Sequence, residues 1–510
     1  MLDGSGSGKS ASYSIPNAYQ CLGSYIFTDP KGELYDQTAG YLKKNGYEIK
    51  VLNLVRPQFS DGYNPLMHIS SELDVDVIAN TIIRGQKTDS SSDPYWDDMA
   101  EMLLKALIYY LIAKRPEEEQ NLASCAELVR AANTNGGNNL LTELISQLPY
   151  DHPARMYYKS IEIAPEKTYG SILSSLQSKL GKFDSKEIAE LTSTDTINFE
   201  DIGNKKTAVY VISSDTHTAY DFLLTIFFSQ MIQQLYDYAD QNGGALKQQT
   251  FFILDEFANI GKIPDFDKKI STSRSRKISF SVILQNIDQL EAVYEKSYET
   301  IMGNCDTHVF LGSNSFKTVE YFSKALGEKT ISRDSVSVNK DKKKSKTGYS
   351  ESDQIMARAL MTPDELRRLD NDTCIIFEKG IKPVKARKFY YFEHNMAKEM
   401  AEFKMSHNDI GEIDRGVWRK YNPYNPYVEE KDKQPVQDLK VESLDDLFDD
   451  DTLDELENSK LRENQPKNSQ EELNAPILPQ LEEDDNDYDL QKELEAKFDE
   501  LFGPITDDDE

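Results

Sequence analysis

The sequence predicts an α/β protein with a mostly parallel sheet, an all-helical stretch set into it, and an acidic tail. Three observations predict this. Short apolar runs alternate with helical patterns on either side of residues 72–195. Within 72–195 one helical pattern follows another with no convincing strand. Beyond residue 420 the chain turns polar and acidic.

The chain opens MLDGSGSGKS. Gly4, Gly6 and Gly8 alternate with serines and lead into Lys9 and Ser10. A phosphate-binding loop needs this chemistry: glycines turn backbone N–H groups inward, a lysine reaches the outer phosphates, and a hydroxyl ligates magnesium. The pattern G-x-x-x-x-G-K-[ST] would place a glycine at position 3, where Asp3 stands. Too few residues precede the loop for the strand that normally feeds it, so the first strand is expected to be missing and the start to be truncated.

Residues 10–17 read as the helix after the loop, bent or ended at Pro16-Asn17. A strand at 24–29, a turn at Pro30-Lys31-Gly32, a helix at 34–45 and a strand at 49–55 follow. In residues 98–113 Met99, Met102, Leu103, Ala106, Leu107, Tyr110 and Leu111 form one helical stripe. Further helices are expected at 121–132, 138–148, 152–163 and 166–181. The α/β pattern resumes with a strand at 207–213 and a long helix at 219–240. Strands at 250–255, 279–285, 308–312 and 374–379 are nearly continuous in apolar character, as in a sheet covered on both faces. Lys340, Lys342, Lys343, Lys344 and Lys346 fall in 331–352, which reads as a solvated polar loop, with phosphate contact as the second reading.

Charge and cysteines narrow the classes. The net charge is −30, yet residues 421–510 hold about 30 acidic against about 8 basic residues, leaving the rest only mildly acidic. Nucleic-acid binding is therefore compatible with the global charge. Cys21, Cys125, Cys305 and Cys374 are far apart, which argues against zinc and against a disulfide framework. The longest strongly apolar run, 107–113, is too short to span a bilayer, so the chain as given is expected to be soluble. In the tail, LDDLF (444–448) and the Leu490, Leu494, Phe498, Leu501 series pair acids with large apolar residues, a pattern that folds on partners or simply solubilises.

The stretch TFFILDE (250–256) ends four apolar residues in adjacent carboxylates. Asp255 is placed to hold magnesium through water and Glu256 to polarise an attacking water. At the end of the next strand, Gln285 is placed to sense a γ-phosphate. Just before that strand, Arg274 and Arg276 are candidates to reach a neighbouring subunit's phosphate, to bind DNA phosphates, or only to be solvated.

GSGSGKS, IPN (15–17), TDPKGELY (28–35), LDEFANIGKIP (254–264), Asn304-Cys305 before a strand ending FLG (310–312), and LMTPDEL (360–366) follow one another in this order. The set resembles the TraG/TraD-type coupling proteins of conjugative type IV secretion over residues 2 to about 395. The resemblance implies a RecA-like ATPase formed by 1–71 and 196–420, an all-helical insert at 72–195, and a disordered tail at 421–510. It implies ATP and magnesium, with Lys9 and Ser10 on phosphates and metal, Asp255 and Glu256 in hydrolysis, and Gln285 sensing nucleotide. Family members form hexamers anchored at the cytoplasmic face of the plasma membrane. They move relaxase-bound single-stranded DNA towards secretion-channel components. Asp29 and Lys31 belong to a family motif without a derived role. An FtsK- or HerA-like chromosome translocase is a second motor reading, and the DNA partner is expected to be single- or double-stranded. A non-hydrolysing adaptor, recruiting a basic relaxosome protein through the acidic tail, is a third.

Overall fold

Five- and six-residue runs rich in β-branched and aromatic side chains supply the sheet. A computed structural model of the chain describes residues 1–3, 8–85, 94–132, 139–214, 220–340, 347–411 and 413–427. Its strands are β1 (Leu2–Asp3), β2 (Ser24–Thr28), β3 (Glu48–Asn53), β4 (Thr207–Ile212), β5 (Thr250–Leu254), β6 (Ile278–Val282), β7 (Thr307–Gly312), β8 (Glu328–Lys340), β9 (Thr347–Ala359), β10 (Thr373–Glu378) and β11 (Val384–Arg387).

One sheet runs β3-β4-β2-β5-β6 with every pair parallel. β2 and β4 are buried at every position, the signature of a sheet covered on both faces. A second sheet runs β1-β7-β10-β11. The first two residues join the sheets. Leu2 bridges Leu284 in parallel, the Met1 amino group donates to the Val282 carbonyl at 2.7 Å, and Leu284 N–H donates to the Met1 carbonyl at 3.0 Å.

The expectation of a missing first strand is therefore corrected: Leu2 and Asp3 pair with Phe310 and Gly312 of β7. Partners lie on both sides of these two residues, and Leu2 is buried. A short strand of this kind is held by its neighbours' backbone and needs no alternating pattern of its own.

Downstream of the loop, Ser10–Ser14 is a π-helical turn continuing into α1 (Ile15–Ala18). Pro16 has no N–H to give the carbonyl four residues back, which favours a widened turn there. α2 (Glu33–Lys44) carries β2 over to β3. Among the described residues, every regular element between β3 and β4 is helical. The α-helices there are α3 (Glu72–Arg84), α4 (Pro94–Lys114), α5 (Leu122–Ala131), α6 (Leu140–Ser146), α7 (Pro153–Glu162), α8 (Glu166–Leu180), α9 (Lys186–Leu191) and α10 (Phe199–Asn204). α4 is the centre of this group, with the predicted Leu103, Ala106, Leu107, Tyr110 and Leu111 all buried. α11 (Asp221–Gln241) follows β4 and buries Phe222, Phe227 and Phe228.

Two expectations change. The polar stretch 331–352 is no loop along its length, for β8 and β9 form an antiparallel hairpin from Glu328↔Ala359 to Lys340↔Thr347. Lysines 342–346 lie outside the described residues. The expected tail also starts late. Tyr421 is buried under Tyr110 with the Arg115 guanidinium 4.1 Å from its ring, and its N–H donates to Ser124 Oγ at 2.9 Å. Asn121 donates to the Arg419 carbonyl at 2.9 Å, Tyr424 donates to the Ala131 carbonyl at 2.9 Å, and Arg415 donates to the Pro57 carbonyl. Residues 413–427 thus form a strap from the β3 side onto α4 and α5. The remainder of the tail, with both acidic–apolar islands, lies outside the described residues.

Upstream of the strap, residues 403–407 lie on α2. A Cβ built at Gly40 would overlap the Phe403 carbonyl oxygen, whereas one at Gly170 in α8 would meet nothing within 4 Å. Gly40→Ala is expected to destabilise the fold by about 1–3 kcal/mol. Gly170→Ala should instead stabilise it by about 0.4–1 kcal/mol. Urea denaturation of both variants checks the opposite signs.

Candidate active site

A parallel sheet offers its functional groups at the carboxyl ends of its strands, and four segments meet there. β2 ends at Asp29, β5 at Asp255-Glu256, and β6 leads through Ile283-Leu284 to Gln285. β1 leads to the loop ending in Lys9 and Ser10. Since β6 lies between β1 and β5, Gln285 sits beside both the loop lysine and the carboxylates.

The contacts are direct. Lys9 Nζ lies 2.9 Å from Asp255 Oδ1 and also bonds Glu256 Oε1. Gln285 Nε2 donates to the same Glu256 oxygen at 3.0 Å. Asp255 Oδ1 accepts the Glu256 N–H at 2.9 Å, and the Thr28 hydroxyl donates to the Asp255 carbonyl at 2.6 Å. Gln289 fixes the Gln285 backbone by accepting its N–H at 3.1 Å. Lys9, Ser10, Asp29, Asp255, Glu256 and Gln285 line a single cleft of about 430 Å³.

Backbone strain aims the carboxylate. Glu256 has φ 51°, a left-handed conformation rare outside glycine, immediately after the strand. The turn lifts its side chain off the β5 path towards Lys9. Gly8, with φ 82°, supplies the corresponding turn on the loop side without steric cost.

The charges are coupled. Burial works against the Lys9 ammonium, but Asp255 and Glu256 overcome it and hold its pKa above the ordinary 10.5. Burial lifts the Asp255 pKa above the ordinary 3.8, with Lys9 as the chief offset. Asp29 was not expected to be an acid of this site. It is 2% exposed, accepts the Tyr35 N–H at 2.8 Å, and burial raises its pKa to about 7.

Other predicted residues lie elsewhere. Gly4 and Gly6 fall outside the described residues. Arg274 and Arg276 precede β6, at the amino end of the strands and away from the cleft at their carboxyl ends. Arg276 is occupied by Asp240 at 2.9 and 3.0 Å and lies 4.7 Å from the Tyr236 ring centre, while Arg274 is exposed. Sequence reasoning missed Thr28, Asn259 and Gln289; Asn259 and Gln289 also line the cleft. Their signal was proximity in sequence to Asp29, Glu256 and Gln285.

The donor set fits a nucleoside triphosphate with magnesium. A lysine flanked by a hydroxyl faces a buried carboxylate and a second, more accessible one across a polar cleft. Lys9 can exchange its carboxylate partners for phosphate oxygens, and Ser10 and Asp255 are hard oxygen ligands of the kind magnesium takes. Among the described residues no helix is long and apolar enough to cross a membrane.

The chain is similar to proteins of known family. TraG of Escherichia coli is 25% identical over 388 residues, covering 71% of this chain and 60% of its own length. VirD4 of Rhizobium radiobacter is 25% identical over 420 residues, covering 78% of this chain and 57% of its own. The chain thus spans about six tenths of the length of these relatives. Among solved structures, the plasmid coupling protein TrwB in complex with the ATP analogue ADPNP superposes with a TM-score of 0.56 at 16% identity. That match covers 76% of this chain and 84% of TrwB. An unbound TrwB form gives a TM-score of 0.55 at 17% identity, over 76% of this chain and 83% of that one. The likeness establishes a common α/β fold. Residues 1–412 match the family described as Type IV secretory system Conjugative DNA transfer, and with four fifths of its length so matched the chain belongs to that family.

Proposed function

We propose that this chain is the ATP-hydrolysing motor part of a conjugative coupling protein, moving a DNA strand with its attached relaxase towards a secretion channel. The observation that carries this reading is the convergence of Lys9, Asp255, Glu256 and Gln285 in one cleft. TrwB, of the same fold, is described in complex with ADPNP and with ADP and Mg2+, which supports nucleotide and magnesium here.

Lys9 leaves the carboxylates to bind the outer phosphates. Ser10 and Asp255 would hold magnesium, which would neutralise charge on the phosphates. Glu256, released from Lys9 but still held by Gln285, orients a water and accepts its proton. Gln285 thereby links the state of the cleft to the helix that follows β6. Residues 72–195 act as an all-helical insert beside the motor core, and a homo-hexamer at the membrane is the expected assembly. The acidic tail suits a basic relaxosome protein, since like charge keeps it from binding DNA itself.

Steady-state hydrolysis by the full chain, with magnesium and with or without single-stranded DNA, tests the reading. Magnesium-dependent turnover that rises with DNA is expected. No turnover under either condition would sink the motor role.

A further inference from the structure

The cleft accounts for phosphates and metal but leaves the rest of a nucleotide without a partner. The described residues supply one on the flank of the loop. After β11 the chain reads Phe389-Tyr-Tyr-Phe392. Tyr390 abuts the phosphate loop: a Cβ at Gly8 would come within 3.2 Å of Tyr390 Cε1. Its hydroxyl donates to Asp372 Oδ1 at 3.0 Å, which fixes the ring. Tyr391 turns the other way and packs on the cluster containing Ile15, Ala18 and Tyr19, on and beside the helix that follows the loop. Phe392 stacks on Tyr390 with ring centres 5.1 Å apart and planes 6° from parallel, yet it is 60% exposed.

An exposed phenylalanine is usually anchored in nothing. This one lies on a ring that is itself braced against both the loop and a carboxylate. Tyr390 does not line the metal-side cleft, so the platform occupies a separate flank of the loop. Phosphates held at Lys9, beside Gly8, leave the attached nucleoside to lie along such a flank. A flat aromatic face there provides stacking, which every base can use.

We infer that Tyr390 and Phe392 form the stacking platform for the nucleobase, with Phe392 contacting the base and Tyr390 positioning it against the loop. The inference rests on the nucleotide reading above and adds which part of the chain holds the base. Stacking without edge recognition predicts that ATP and GTP bind within a few-fold of one another.

Calorimetric titration of the full chain with Mg-ATP and with magnesium tripolyphosphate tests it in wild type, Phe392→Ala and Phe392→Trp. Phe392→Ala is expected to weaken ATP about tenfold, leave tripolyphosphate unchanged, and be rescued by Phe392→Trp. Equal loss for both ligands in Phe392→Ala, or ATP affinity unchanged while single-stranded DNA binding falls, would overturn the platform. So would wild-type protein that binds ATP no more tightly than tripolyphosphate. Wild-type protein that binds neither ligand removes the nucleotide reading, and the platform with it.

Discussion

Glu256→Gln is expected to lower ATP turnover by about 10²–10⁴-fold while nucleotide still binds. The amide keeps the size of the side chain and can still face Gln285, whose amide group bonds the present carboxylate at 3.0 Å. It loses the capacity to take a proton from water. Lys9 retains Asp255 at 2.9 Å, so the loop keeps an anchor in the cleft. Glutamine tolerates the left-handed backbone at this position no worse than glutamate, so the fold should be unaffected. Separating kcat from nucleotide Kd is the decisive measurement. If affinity and turnover fall together, Glu256 serves as an anchor for Lys9 and the proton acceptor lies elsewhere.

The second large effect concerns stability. Asp29→Asn is expected to stabilise the fold at pH 8 by about 2–4 kcal/mol, a difference that vanishes near pH 4. The sign follows from the direction of the shift. Burial is the main cause, and it raises the folded pKa of Asp29 from 3.8 to about 7. Below 3.8 both folded and unfolded carboxyls carry a proton and nothing is lost. Between 3.8 and about 7 the unfolded chain has released its proton while the folded one retains it, so stability declines as pH rises. Above about 7 the burial of a charged carboxylate costs a constant amount. Asparagine keeps an oxygen to accept the Tyr35 N–H and removes the charge. Chemical denaturation of both proteins from pH 4 to 8 checks this, and two curves that stay parallel across the range would refute it.

Asp29 also shows what the sequence could disclose. TFFILDE was legible as an apolar strand ending in adjacent acids, and the structure places those acids on Lys9. SYIFTD has the same form, with strand β2 ending in an acid, and Asp29 is among the residues that line the same cleft. Applying one rule to both strands would have found it. The helices were readable because burial on one face imposes a period of 3.6 on their side chains, and the central strands because burial on both faces leaves short continuous apolar runs. The three misread segments lack either pattern. β1 is two residues held by neighbouring backbone. β8 and β9 are rich in serine and charged residues and pair mainly with each other. The YNPY stretch has the composition of a tail, but its first tyrosine meets Tyr110 and Arg115, more than 300 residues earlier in the chain. Arg276 illustrates the converse. A basic cluster near a strand suggests phosphate chemistry, whereas Asp240 and Tyr236, on a helix some 36 residues upstream, occupy it here.

The strap at 413–427 has a mechanical consequence. Helices α3–α9 join the sheet-bearing part through two chain crossings, one after β3 and one before β4, and through the packing of α3 on α11 in a shared core. The strap adds a third crossing, seated by Arg415 at Pro57 and by Tyr421 between α4 and α5. Upstream of the strap the same stretch of chain touches α2, where the His407 N–H bonds Asp36 at 2.6 Å. Contacts to α2, which begins four residues after the buried Asp29, and to α4 and α5 are therefore made within 20 residues of one another along the chain, which gives the helices a second line of contact with the sheet's carboxyl end.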